Sequence, residues 1–127
     1  MIVLLVALAG GLGAVARFVL DGVITARPHR AQGFPTGVMV INVSGSLLLG
    51  IVAGLATASL PDPLHQILGA GFLGGYTTFS TAAVDTVLLY RLRRSLPALV
   101  NGLGMLLLSV VAAAAGWVLG GAGDLPR

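Results

Sequence analysis

The chain has 127 residues, 57% apolar and 9% charged, with 19 glycines and a mean hydropathy of +1.02. This lies far outside the range of soluble domains and marks an integral membrane protein. It contains no Cys, Glu or Lys, which excludes disulfides and thiolate metal sites and leaves no paired carboxylates or activated nucleophile for enzyme chemistry.

The charged residues divide the chain into four uncharged stretches, each approaching the roughly 20 residues needed to cross hydrocarbon. The first is predicted to span about residues 2–23. Its first arginine, Arg17, follows the apolar run rather than preceding it, the reverse of a secretory signal, so this span is expected in the mature protein. Arg17 either snorkels to the interface or serves as a vestibule charge that concentrates anions.

The second span is predicted over about residues 35–60, with Pro35 at its start. Ser46, Gly50 and Gly54 recur four apart on it, a row that lets helix backbones approach closely, most simply within the chain. Asn42, Ser44 and Ser46 are neutral hydrogen-bonding groups inside the span. Taken alone, Asn42 fits interhelical glue as well as a pore role.

The third span is predicted over about residues 63–90, opened by Asp62 before Pro63. It contains the run from Gly71 to Thr81, sequence GFLGGYTTFST. Gly74 and Gly75 weaken a helix there, and Thr77 and Thr78 can satisfy freed backbone groups, so one reading is an unwound segment whose carbonyls suit a small hard cation. The other is a continuous helix with glycines at a tight contact. Phe79 by default fills a core or faces lipid; presented to a pore, its electropositive ring edge would attract a small anion.

The fourth span is predicted over about residues 96–120, after Ser95 and shortly before Pro97, with Asn101 and Ser109 as its polar groups. Short connections leave no room for a soluble domain, so the expected fold is an all-α, single four-span unit covering 1–127. His29 and His65 are isolated, as solvated loop residues are. Arg27 and Arg30 with Arg91, Arg93 and Arg94 oppose only Arg127 across the expected membrane. By the positive-inside rule the termini face out, and these arginines serve topology rather than nucleic acid. Four short helices enclose little volume, so a transport path calls for a second chain. Polar donors on three spans without carboxylates suit an anion better than a cation.

Three elements carry a family resemblance: Gly10 to Arg17 (GGLGAVAR), Phe34-Pro35-Thr36-Gly37 leading to Asn42 and Gly45, and Gly71 to Thr81. In order and spacing the chain resembles the small fluoride channels called Fluc or CrcB over essentially its whole length. The resemblance implies an antiparallel dual-pore dimer, the third helix of each subunit broken mid-membrane, in a bacterial-type plasma membrane, exporting fluoride passively. It also implies a structural sodium ion on the dimer axis, held by backbone carbonyls that map to Gly74 and Thr77. Pore positions map to Asn42, Phe79, Thr78, Ser80 and Ser109, and the vestibule arginine to Arg17.

Three departures fall on pore-lining positions: Ala82 stands where the family usually has a second phenylalanine, Val38 where it often has threonine, and Met105 where some members have asparagine. The resemblance further implies that a fixed orientation, as the arginine bias predicts, belongs to members paired as heterodimers. A heterodimer half with a degraded pore, supplying interface and sodium site, is therefore the alternative to a conducting subunit. A proton-coupled small-molecule exporter is disfavoured because no intramembrane glutamate is present.

Overall fold

The computed structural model describes residues 1–26, 33–58 and 60–121. Arg27, His29, Arg30, Asp124 and Arg127, on which part of the topology reading rests, lie outside the described residues. Among those described, every regular element is helical, with no strand.

The first apolar run forms α1 (Ile2–Thr25). The second forms α2 (Thr36–Ala58), which begins immediately after Pro35, whose missing N–H and fixed φ suit a helix start. Both are long and apolar enough to cross a membrane, as is the helical stretch Ser95–Leu119. That last stretch comprises α6 (Ser95–Leu99), a π-wound segment (Val100–Gly104) and α7 (Met105–Leu119), one continuous path in which the winding widens without breaking.

The third run is not one long α-helix. It contains α3 (Asp62–Gln66), a π-wound segment (Ile67–Leu73), the short α4 (Gly74–Tyr76) and, beyond two extended residues, α5 (Phe79–Arg91). Each π-wound segment carries two glycines, Gly69 and Gly71 in one and Gly102 and Gly104 in the other. Glycine tolerates the irregular turn that such winding requires.

Two seams of small residues organise the packing. The most extensive lies between α2 and α7. A Cβ at Gly50 would overlap the Ala113 carbonyl, and one at Gly116 would overlap the Leu47 carbonyl. The Gly50–Gly54 row thus serves intrachain packing, the simplest expectation from the sequence. In the second seam α1 meets the π-wound segment and α4: a Cβ at Gly13 would overlap the Phe72 carbonyl, and one at Gly75 the Gly10 carbonyl. Without a hydrophobic force between helices in lipid, such close approach supplies the dispersion contacts that hold them together.

The outer surface is apolar. On α1, Val3, Leu8, Leu12, Val15, Phe18 and Val19 are all exposed. Water would oppose that surface, whereas acyl chains solvate it at no cost. The buried interior is small and splits in two. Ile41, Leu73 and Tyr76 cluster where α2 meets the third run, backed by Ala16, Leu20, Val52 and Phe72. Val38, Ala82 and Met105 form the other, between α2, α5 and α7. The three positions at which the resemblance implied departures are therefore neighbours in space.

Candidate functional site: an interrupted helix beside a cavity

The interruption lies at Thr77 and Thr78, both extended (φ −80°, ψ 157° and φ −149°, ψ 114°). Gly74 and Gly75 remain helical, so unwinding begins two residues later than their flexibility suggests. The glycines instead divide their roles. Gly75 permits the contact with α1, whereas a Cβ at Gly74 would meet nothing closer than 3.8 Å, and Gly74 is exposed. The run thus makes a tight contact at Gly75 and turns extended at Thr77 and Thr78.

Three of the N–H groups at the interruption can be traced to new or retained acceptors. The Thr77 N–H and hydroxyl both donate to the Leu73 carbonyl, each at 3.0 Å, closing the end of α4. In an unbroken helix the Thr78 N–H would bond the Gly74 carbonyl; here it donates to Asn42 Oδ1 at 2.8 Å. Asn42 Nδ2 donates back to the Thr78 carbonyl at 2.9 Å. The Thr81 N–H, which would otherwise reach the Thr77 carbonyl, donates to Thr78 Oγ1 at 3.3 Å, making Thr78 the N-cap of α5. The Thr78 hydroxyl also shares hydrogen bonds with Thr81 Oγ1 at 3.0 Å and Ser80 Oγ at 3.3 Å. The outcome is that Gly74 and Thr77 carbonyls have lost their helical donors to side chains.

Asn42 reaches this point because α2 passes very close. A Cβ at Gly45, one turn further along α2, would overlap the Thr77 methyl and sit 3.0 Å from the Tyr76 ring. Ser44 on the same turn shares a 3.1 Å hydrogen bond with the Tyr76 hydroxyl, and the Tyr76 ring stacks on Phe72 at 6.2 Å between centroids. Asn42 itself is buried, and its Nδ2 lies 3.4 Å from Met105 Sδ.

A cavity of about 190 Å³ adjoins the interruption, lined by Asn42, Ser46, Thr77, Phe79, Gly102, Met105, Leu106 and Ser109. The fold therefore brings three sequence-predicted pore positions, Asn42, Phe79 and Ser109, to one place. Thr78 and Ser80 do not line this cavity; Thr78 instead bonds Asn42, and Ser80 is exposed beside it. Arg17 is likewise not among the lining residues. It is half-buried on α1, its Nε enclosed without a hydrogen-bond partner among the described residues. Phe79 is 84% exposed.

The resemblance put Met105 at a pore-lining position, and it lines this cavity. Sequence reading did not find the role of Asn101. That side chain is fully buried and donates to the Ala82 carbonyl at 3.1 Å and Thr86 Oγ1 at 2.9 Å, tying the π-wound stretch before α7 to α5. The described residues hold no cluster of His, Cys, Asp or Glu able to bind a metal. Any cation here would have to be met by backbone and hydroxyl oxygen.

Known proteins resemble this chain over most of its length. Residues 4–117 match the family model for CrcB-like protein, Camphor Resistance (CrcB). The chain is 50% identical to Fluoride-specific ion channel FluC 1 of Leifsonia xyli subsp. xyli over 127 residues, covering 99% of this chain and 91% of that protein. It is 48% identical to Fluoride-specific ion channel FluC 2 of Cutibacterium acnes, covering 94% and 98% respectively. Against Fluoride-specific ion channel FluC 2 of Mycobacterium tuberculosis the identity is 40%, over 89% of this chain and 86% of the relative. With a family match over most of its length, and relatives of this similarity and coverage, the chain belongs to the CrcB-like family.

Proposed function

We propose that this protein is a fluoride channel subunit that lets the anion leave the cell passively. The observation that carries the reading is the cavity where Asn42, Phe79 and Ser109 meet beside the interrupted helix. Fluoride is strongly hydrated, so a path through hydrocarbon must replace water with donors or leave dehydration uncompensated. Ser46 and Ser109 offer hydroxyls around this cavity, whereas the Thr77 hydroxyl is committed to the Leu73 carbonyl. Asn42 directs one Nδ2 proton at the Thr78 carbonyl and the other toward Met105 sulfur, a weak acceptor that an anion readily displaces. The exposed Phe79 ring contributes its electropositive edge. The relatives' names favour a conducting subunit over a non-conducting scaffold.

The reading extends to assembly. Irregular backbone at membrane depth persists only where protein or a cavity covers it. Gly74, Phe79 and Ser80 are all exposed around the interruption, which calls for a second family subunit over this face, arranged antiparallel so that each chain supplies one interruption. The third run, with its interruption, then completes a four-span unit in a bacterial plasma membrane. The arginines at 91, 93 and 94 place their end in the cytoplasm and the termini outside.

The Gly74 and Thr77 carbonyls fit a structural sodium ion, because both have lost their helical donors. When bound, sodium would offset the facing carbonyl dipoles of two subunits and pin them together.

Reconstituting the purified chain in liposomes loaded with fluoride tests the function. Rapid efflux is expected for the wild type. A correctly folded chain that passes no fluoride, alone or with a sister subunit, overturns it.

A further inference from the structure

Asn42 is placed unusually for a residue whose task is to touch a passing ion. Both ends of its amide are engaged by the backbone of a single residue, Thr78, at 2.8 Å and 2.9 Å. The remaining Nδ2 proton points to Met105 Sδ at 3.4 Å, and only 9% of the residue is exposed. This paired contact copies the donor–acceptor pattern of a peptide group, so the side chain acts as a substitute for helical backbone. Its position is set by Gly45 and by the Ser44–Tyr76 hydrogen bond, which hold α2 against α4.

From this geometry we infer that Asn42 is a splint that keeps the third run interrupted and the Gly74 carbonyl available to a cation. The inference rests on the sodium reading above and makes Asn42 a positioning residue for that site. Without a side-chain acceptor, the Thr78 N–H would be left unpaired in a water-poor interior, and its cheapest partner is the Gly74 carbonyl four residues back. Closing that bond would consume a ligand of the cation. Asn42 thus ties the state of the anion cavity to the state of the cation site through two hydrogen bonds to one peptide unit.

Two measurements test this, neither reading fluoride flux. The first is amide exchange of the wild-type protein at single-residue resolution. Thr78 N–H is expected to exchange slowly, although it has no helical carbonyl partner, with or without sodium. Exchange as fast as that of an exposed loop amide overturns the splint and needs no variant. The second is thermal stability titrated with sodium chloride against an organic-cation chloride, for the wild type, Asn42→Ala, Asn42→Asp and Met105→Leu. Asn42→Ala is expected to need about tenfold more sodium for half its stabilisation, the equivalent of one lost hydrogen bond. Asn42→Asp, which keeps an acceptor for Thr78 N–H, restores most of the response; Met105→Leu leaves it unchanged. A wild-type sodium response preserved in Asn42→Ala overturns the coupling, as does its loss in Met105→Leu. If the wild type shows no response to sodium, the cation reading falls, while efflux assays judge the channel reading separately.

Discussion

The seam between α2 and α7 and the contact between α2 and the interrupted third run involve the same helix but are held by opposite means. At the first, glycines remove the Cβ at the points of closest approach, and backbone meets backbone at Gly50–Ala113 and Gly116–Leu47. At the second, polar side chains replace missing backbone partners, through Asn42, Thr78 and Thr77. A membrane interior rewards both devices, since close packing supplies dispersion and every freed N–H must find an acceptor. They differ in what they leave over. The glycine seam leaves nothing for a ligand, whereas the polar contact leaves carbonyls, hydroxyls and a cavity.

The largest effect is expected at the glycine seam. Gly116→Leu drives a side chain into the Leu47 carbonyl and the backbone of Ile51. Backbone cannot rotate away as a side chain can, so a penalty on the order of 3 kcal/mol is expected. Loss of monodisperse protein on extraction would register it; normal recovery would mean that the helices separate without consequence.

At the other contact, Phe79→Ile is expected to abolish fluoride efflux through the cavity it lines while leaving the protein folded, because the ring is largely exposed. Unchanged efflux would remove Phe79 from the mechanism. The same variant would sharpen the contrast between the regions, since one substitution costs the fold and the other only the passage.

Smaller effects are expected where polar groups merely close the helix path. Thr78→Val removes the N-cap oxygen of α5 but keeps the shape, a loss of about 1 kcal/mol. A thermal-unfolding midpoint equal to that of the wild type would show that water or another hydroxyl replaces the cap. Asn101→Ala removes the two bonds to α5. Membrane hydrogen bonds average about 0.6 kcal/mol, so only a slight decrease in thermal stability is expected.

The three departures illustrate how sequence and structure inform each other. Read singly, Val38, Ala82 and Met105 look like losses of pore function. In the fold they are one buried cluster, with Met105 also bordering the cavity and contacting Asn42. Replacing an aromatic by alanine leaves volume, and a flexible thioether is well suited to fill it. Linear order cannot reveal this, because positions 38, 82 and 105 come together only through the packing of three helices.

What this sequence determined by itself was the class of protein and the places where its helices begin and end. Apolar runs, prolines and sparse charges act locally and through the solvent, so Pro35, Asp62 and Ser95 could be read as helix starts directly. The run from Gly71 to Thr81 likewise announced an irregularity, since glycine and threonine alter a helix wherever they occur. Only the tertiary structure decided that the interruption falls at Thr77 and Thr78 rather than at Gly74 and Gly75, and that Asn42 sustains it. The reason is that a freed N–H takes whichever acceptor is near, and which acceptor is near depends on how closely α2 can approach.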